Sequence, residues 1–175
     1  MKIEESKLNE HTGSSFTVKK TDGISKISFS EKEWIINEDN YAEAFLGKCE
    51  SCKKVNTLYE GLSYDKVLVC GLGLGLIPQY LKIQESCSVV DVIDNNNELI
   101  TWVNSEGFLD DGINIIEGDV LTYIPDKKYD LILIDIWWNE SEITEDIKNT
   151  LKTNYLSHLN DDGKLLLPGI EEELK

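Results

Sequence analysis

Hydrophobic and polar positions alternate differently in the two parts of the chain. Between residues 15 and 37 short apolar-polar runs, FTVKK, ISKISFS and EWIIN, flank Asp22-Gly23, a strong two-residue hairpin signal. The pattern predicts a three-stranded antiparallel meander. Residues 1–14 carry no such pattern and read as a mobile lead-in. A short helix is expected over residues 41–46, followed by the polar stretch CESCKK and a short apolar segment near Leu58-Tyr59.

From residue 65 onward the runs become short, β-branched and nearly all apolar: KVLVC (66–70), SVVDVI (88–93), INIIEG (113–118), YDLILID (129–135) and KLLLP (164–168). Strands of this texture are buried on both faces of a parallel sheet. Between them lie helical stretches: IPQYLKI, with Pro78 in a first turn, NNNELITWVNS, and SEITEDIKNTLKTNYLSHL. The last carries Ile143, Ile147, Leu151, Tyr155 and Leu159 on one stripe, and NDDG after it reads as a turn. Strands alternating with helices imply an α/β, doubly wound, mostly parallel sheet, here with a small N-terminal antiparallel β meander. Three segments follow: a lead-in (1–14), a meander and short helix (15–60), and an α/β domain (61–175).

Composition narrows the function. The net charge is −16 and all 17 basic residues are Lys. Without Arg to grip phosphates, and with that field against a polyanion, no nucleic-acid partner is expected; a small or cationic substrate suits the charge. No apolar run approaches the ~20 residues of a membrane span, and MKIEESKLNEHTGSS lacks the apolar core of a signal peptide. A cytoplasmic setting without a membrane is expected. Cys49 and Cys52 form one CxxC with no second pair, so no metal site is expected; Cys70 and Cys87 read as small buried residues.

Ligands of such sheets sit beyond the carboxyl ends of the strands. The first strand ends in Gly71-Leu72-Gly73-Leu74-Gly75, the second in Asp94, the third in Gly118-Asp119, and the fourth in Asp135-Ile136-Trp137-Trp138. A glycine loop lets backbone touch a ligand. The dinucleotide pattern GxGxxG would need Gly at position 76, which is Leu, and no GxxxxGK[ST] phosphate loop exists. Asp94 follows the loop at about the ~20-residue spacing of a ribose-binding carboxylate. As an acceptor-only group it can take both ribose hydroxyls, and Asp119 suits an adenine amino group for the same reason. Either acid alone also fits a solvent-facing loop.

VLVCGLGLGL, VVDVID, EGDV and YDLILID together resemble the class I S-adenosylmethionine-dependent methyltransferases, over roughly residues 60–168. The resemblance implies a Rossmann-like domain with S-adenosyl-L-methionine as cofactor. Gly71, Gly73 and Gly75 would lie under its methionine part and Asp94 at its ribose. Asp119 would hold the adenine end, with Ile93 and Val120 as apolar neighbours of the base. Asp135 would act as the catalytic residue, orienting or deprotonating the acceptor. Trp137 and Trp138 either wall the acceptor site or cover the sheet edge. The meander also resembles, in reduced form, the front domain of polyamine aminopropyltransferases (the spermidine synthase branch). Their GGGDG-type loop and DSSDP-type signature are replaced here by GLGLG and DIWWNE. Three readings follow: a methyltransferase, an aminopropyltransferase, or an inactive cofactor-binding module. EEELK is too short for the two strands that usually end the methyltransferase sheet, which leaves an edge for self-association.

Overall fold

Lys66–Cys70 is the centre of the molecule because four of its five residues are fully buried. A computed structural model describes residues 9–21, 24–29, 32–37, 64–73, 75–82, 87–107, 109–136, 143–167 and 172–174. The strands are β1 (His11–Thr12), β2 (Thr17–Thr21), β3 (Ile24–Phe29), β4 (Lys32–Asn37), β5 (Lys66–Cys70), β6 (Val89–Asp94), β7 (Ile113–Glu117), β8 (Tyr129–Ile134), β9 (Leu159–Leu167) and β10 (Glu172–Leu174). The helices are α1 (Leu76–Lys82), α2 (Asn97–Glu106) and α3 (Glu145–Tyr155).

β5 to β10 form one sheet in the order β10-β9-β8-β5-β6-β7, parallel except for β10, which runs antiparallel to β9. Successive residues of β5 feed opposite faces. Val67 and Val69 join a core with Leu99, Trp102 and Val103 of α2, while Leu68 and Cys70 join one with Leu151 and Tyr155 of α3. Helices on both faces make the doubly wound α/β architecture that the strand texture predicts. Asn96 starts α2 by accepting from the Leu99 N–H, and Gly107 ends it in the left-handed region at φ 65°. Thr144 starts α3 in the same way, accepting from Ile147 N–H.

The front sheet has four strands, in the order β1-β2-β3-β4, where three were expected. Thr21 pairs with Ile24, the register a two-residue hairpin requires; Asp22-Gly23 lie outside the described residues. The lead-in expected to run to residue 14 ends earlier. From Asn9 the chain lies along α2, tied by Asn9 to Glu106 and by His11, Ser14 and Ser15 to Glu98. Its polar residues are held by helix carboxylates, which apolar periodicity does not report.

Two other expectations change. NDDG is not a turn ahead of the fifth strand but an irregular part of β9. There Asp162 sits at φ 64°, and the pairing with β8 steps from Tyr129–Leu159 to Leu131–Lys164. The C-terminal residues supply one antiparallel strand, β10, with Leu174 buried. The helix expected at 41–46, the CxxC, Leu58-Tyr59, Trp137 and Trp138 lie outside the described residues. Among the described residues no helix is long and apolar enough to cross a membrane.

Candidate functional site

β5 lies between β6 and β8, so the chain leaves its carboxyl end where the sheet order reverses. Gly71 continues the ladder, its N–H donating to Ile93 O at 2.8 Å, while Asp135 N–H donates to Cys70 O at 2.8 Å. The backbones of the first and fourth strand ends therefore meet. Gly71 has φ +112°, and a Cβ there would collide with the Asp135 carbonyl oxygen. Only glycine fits both the torsion and the space.

The loop next folds onto Asp94. Its Oδ2 accepts from Leu72 N–H at 2.9 Å and its Oδ1 from Asn96 N–H at 2.8 Å. Each oxygen retains a second lone pair for a ligand hydroxyl. Gly75 then closes the turn: its N–H donates to Leu72 O, and its carbonyl accepts from Gln79 N–H as α1 begins.

The third strand end is held from behind. Asp119 Oδ1 accepts from Leu121 N–H at 2.9 Å, and its carbonyl accepts from Thr122 and Tyr123 N–H groups. Consecutive residues of α3 hold consecutive carbonyls of this turn: Tyr155 Oη donates to Val120 O at 2.7 Å, and Asn154 Nδ2 to Leu121 O at 2.8 Å. The turn cannot shift without α3.

These strand ends enclose a cavity of about 420 Å³, within the size range of small-ligand sites. Gly71, Gly73, Ile93, Asp94, Asp119, Val120 and Asp135 all line it. Gly75 does not; it is buried within the turn. The wall also contains Gly118 and Ile136, already placed at strand ends by the sequence, and Phe29, Asn95, Asn96, Leu99 and Leu121, which motif reading did not identify. Asn95 and Asn96 were within reach of the sequence as the loop after Asp94, but Phe29 had no local signal. Ile93, Val120, Leu121 and Ile136 belong to the α3-side core, and Phe29 and Leu99 to the α2-side core, so the cavity has two apolar walls.

Three carboxylates face this space with no Lys among its described lining residues. Burial pushes the Asp135 carboxyl up to about 6, because desolvation penalises the charged form. Cys70, beneath it, is buried and its thiol is pushed far up by desolvation, so it is no nucleophile at neutral pH. Among the described residues no group of His, Cys, Asp and Glu could hold a metal ion.

No protein-family profile and no curated protein matches the chain by sequence. By structure it is similar to the glycopeptide N-methyltransferase MtfA, with a TM-score of 0.53 and 20% identity over 74% of this chain and 53% of that one. It is similar as well to the N-methyltransferase NodS from Bradyrhizobium japonicum WM9 in complex with S-adenosyl-L-homocysteine. There the TM-score is 0.52 at 16% identity, over 67% of this chain and 58% of that one. The plantazolicin methyltransferase BpumL, in complex with the same compound, gives 0.52 at 23% identity over 74% of this chain and 49% of that one. The chain thus spans roughly half the length of these proteins. The shared element is the fold.

Proposed function

We propose that the chain is an S-adenosyl-L-methionine-dependent methyltransferase acting on a small or cationic acceptor. One observation carries this reading. The glycine loop, the acid ending β6 and the Asp119-Val120 turn line a single cavity beneath Asp135. The residues fit the cofactor. Gly71 and Gly73 offer bare backbone to its methionine part, Asp94 offers free lone pairs to the ribose, and Asp119 offers acceptors to the adenine amino group. Ile93, Val120 and Leu121 give the base an apolar bed. When bound, the cofactor supplies a methyl group already activated by its sulfonium.

The protein then has to orient an acceptor, exclude water and move a proton. Asp135 stands where the loops after β5 and β8 meet. With a carboxyl near 6, it is largely ionised at neutral pH yet more basic than a surface carboxylate, a suitable proton acceptor for an ammonium or hydroxyl group. The acidic wall attracts a cation. The solved neighbours named as N-methyltransferases favour nitrogen as the acceptor atom. Trp137 and Trp138 follow directly after the cavity residue Ile136 and are assigned to the acceptor side.

The antiparallel front sheet favours a second reading, polyamine aminopropyl transfer. Residues 71–77 contain no acid to repel a donor carboxylate, which argues for the ordinary cofactor over its decarboxylated form. Calorimetric titration with S-adenosyl-L-methionine, its decarboxylated analogue and S-adenosyl-L-homocysteine tests both readings, followed by labelled-methyl transfer to a panel of amines. Tighter binding of the carboxylated donor, with transfer, is expected. Preference for the decarboxylated donor with putrescine consumed would promote aminopropyl transfer. Binding without transfer would mark an inactive cofactor-binding module, and no binding would refute all three readings. The cytoplasm, and self-association through a sheet edge, complete the proposal.

A further inference from the structure

The four-stranded sheet pairs none of its strands with the six-stranded one, yet one of its residues, Phe29 at the end of β3, lines the cavity beside Asn96 and Leu99. Phe29 is held by a chain of rings. It lies 5.6 Å from Phe16, which stacks on His11 at 4.3 Å and meets Trp102 of α2 edge-on at 5.5 Å. Arrangements of this spacing favour a fixed geometry.

A polar clamp holds the same segment. Glu98, in the first turn of α2, lies 2.9 Å from His11 Nε2 through Oε1. Its Oε2 accepts from the N–H and hydroxyl groups of Ser14, at 3.1 and 2.7 Å, and of Ser15, at 3.0 and 3.1 Å. The one Ser15 hydroxyl proton is shared between that oxygen and Oδ1 of Asn96, which lies 2.9 Å from Oγ; Asn96 caps α2 and lines the cavity. A Cβ at Gly13 would strike the Glu98 carboxylate, so a side chain there would displace the clamp. A first-turn carboxylate ordinarily serves its own helix end. This one reaches out to the segment that carries the front sheet.

We infer that the front sheet is part of the ligand site: Phe29 forms one wall, and Glu98 is the positioning residue that seats it. The inference rests on the cofactor reading of the cavity. Phe29 gives the ligand an apolar contact from the α2 side, opposite Ile93 and Val120, so the cavity is complete only with the segment docked.

The test is titration of the full chain with S-adenosyl-L-homocysteine, for the parent, Phe29→Ala, Glu98→Leu and Glu98→Gln, with amide hydrogen exchange on the ligand-free proteins. Phe29→Ala and Glu98→Leu are expected to weaken binding by about tenfold or more. Glu98→Leu should also speed exchange at the Ser14 and Ser15 amides. Glu98→Gln should restore most of the affinity, because its amide oxygen still accepts from the serines while its NH₂ donates to His11. Parent-like affinity in Phe29→Ala, or in Glu98→Leu with the serine amides exposed, overturns the inference alone. A parent that does not bind the compound removes the cofactor reading and this inference with it.

Discussion

Oδ2 of Asp94 accepts the main-chain N–H of Leu72 at 2.9 Å, so the acid ending β6 and the glycine loop after β5 hold each other in place. Asp94→Ala therefore has two effects. It removes the proposed ribose acceptors, each charged hydrogen bond being worth roughly 1.5–3 kcal/mol, so affinity for S-adenosyl-L-homocysteine should fall at least about tenfold. It also frees the loop, so the ligand-free protein should lose about 1 kcal/mol. Calorimetry and thermal unfolding separate the two. An unchanged affinity would place the ribose elsewhere.

Gly71→Ala should be the more damaging loop change. The site combines φ +112° with contact against the Asp135 carbonyl, so even a methyl group forces the first and fourth strand ends apart. A cost of at least about 2 kcal/mol is expected, together with loss of ligand binding. Urea denaturation and titration check both. A variant as stable as the parent would show that this crossing is loose.

How far the sequence carried depended on the range of the interaction. The central strands β5, β6 and β8 were legible because burial on both faces leaves a local apolar signature; β7, at the sheet edge, has no buried residue and was read from its β-branched run alone. Which glycine faces the cavity was not: Gly71 and Gly73 line it while Gly75, of the same type and spacing, closes the turn. Phe29 and the Asn9–Ser15 segment act through contacts made across the molecule, His11 reaching Glu98 and Phe16 reaching Trp102. Asp91 shows the same limit. It lies inside the apolar run VVDVID, and its partners are Asn114, Lys127 and Tyr129, up to 38 residues away.

That buried Asp91 yields the third prediction. Burial opposes its ionisation, but hydrogen bonds from Lys127, Tyr129 and Asn114 outweigh this and hold its carboxyl below the usual range. Tyr129 Oη is 2.6 Å from it and Lys127 Nζ 2.7 Å. Asp91→Ala leaves a buried phenol without its acceptor and should cost about 2–4 kcal/mol. A loss well under 1 kcal/mol in chemical denaturation would mean that water replaces the carboxylate.

The clamp should open in acid. Hydrogen bonds from Ser14 and His11, with smaller ones from Ser15, hold the Glu98 carboxyl down at about 2 against an ordinary 4.5. A depressed value means that the contribution is complete above the ordinary value and fades as pH falls toward about 2. Exchange at the Ser14 and Ser15 amides, corrected for its intrinsic pH dependence, should therefore lose protection between about pH 4.5 and 2. In Glu98→Gln that transition should be absent. The same transition in both proteins would assign the release to another group.

Asp135 has the opposite linkage. Burial raises its carboxyl from 3.8 to about 6, so the native protein holds this proton more tightly than the unfolded chain does. The stability linked to it is complete below 3.8 and is lost as pH rises through about 6. Asp135→Asn, which carries no charge to bury, should consequently be more stable than the parent at pH 8, by up to about 3 kcal/mol, with the gap closing in acid. Transfer should behave inversely. The parent rate should climb through about pH 6 as the carboxyl ionises, while the Asn variant should lose that limb and about a hundredfold or more in rate. Binding of S-adenosyl-L-homocysteine should remain within about threefold of the parent, because the proposed role of Asp135 lies with the acceptor. Pairing unfolding curves with pH-rate profiles for the two proteins decides the matter. A variant that gains stability at pH 8 yet transfers at the parent rate would show a half-buried carboxylate with no part in the proton transfer.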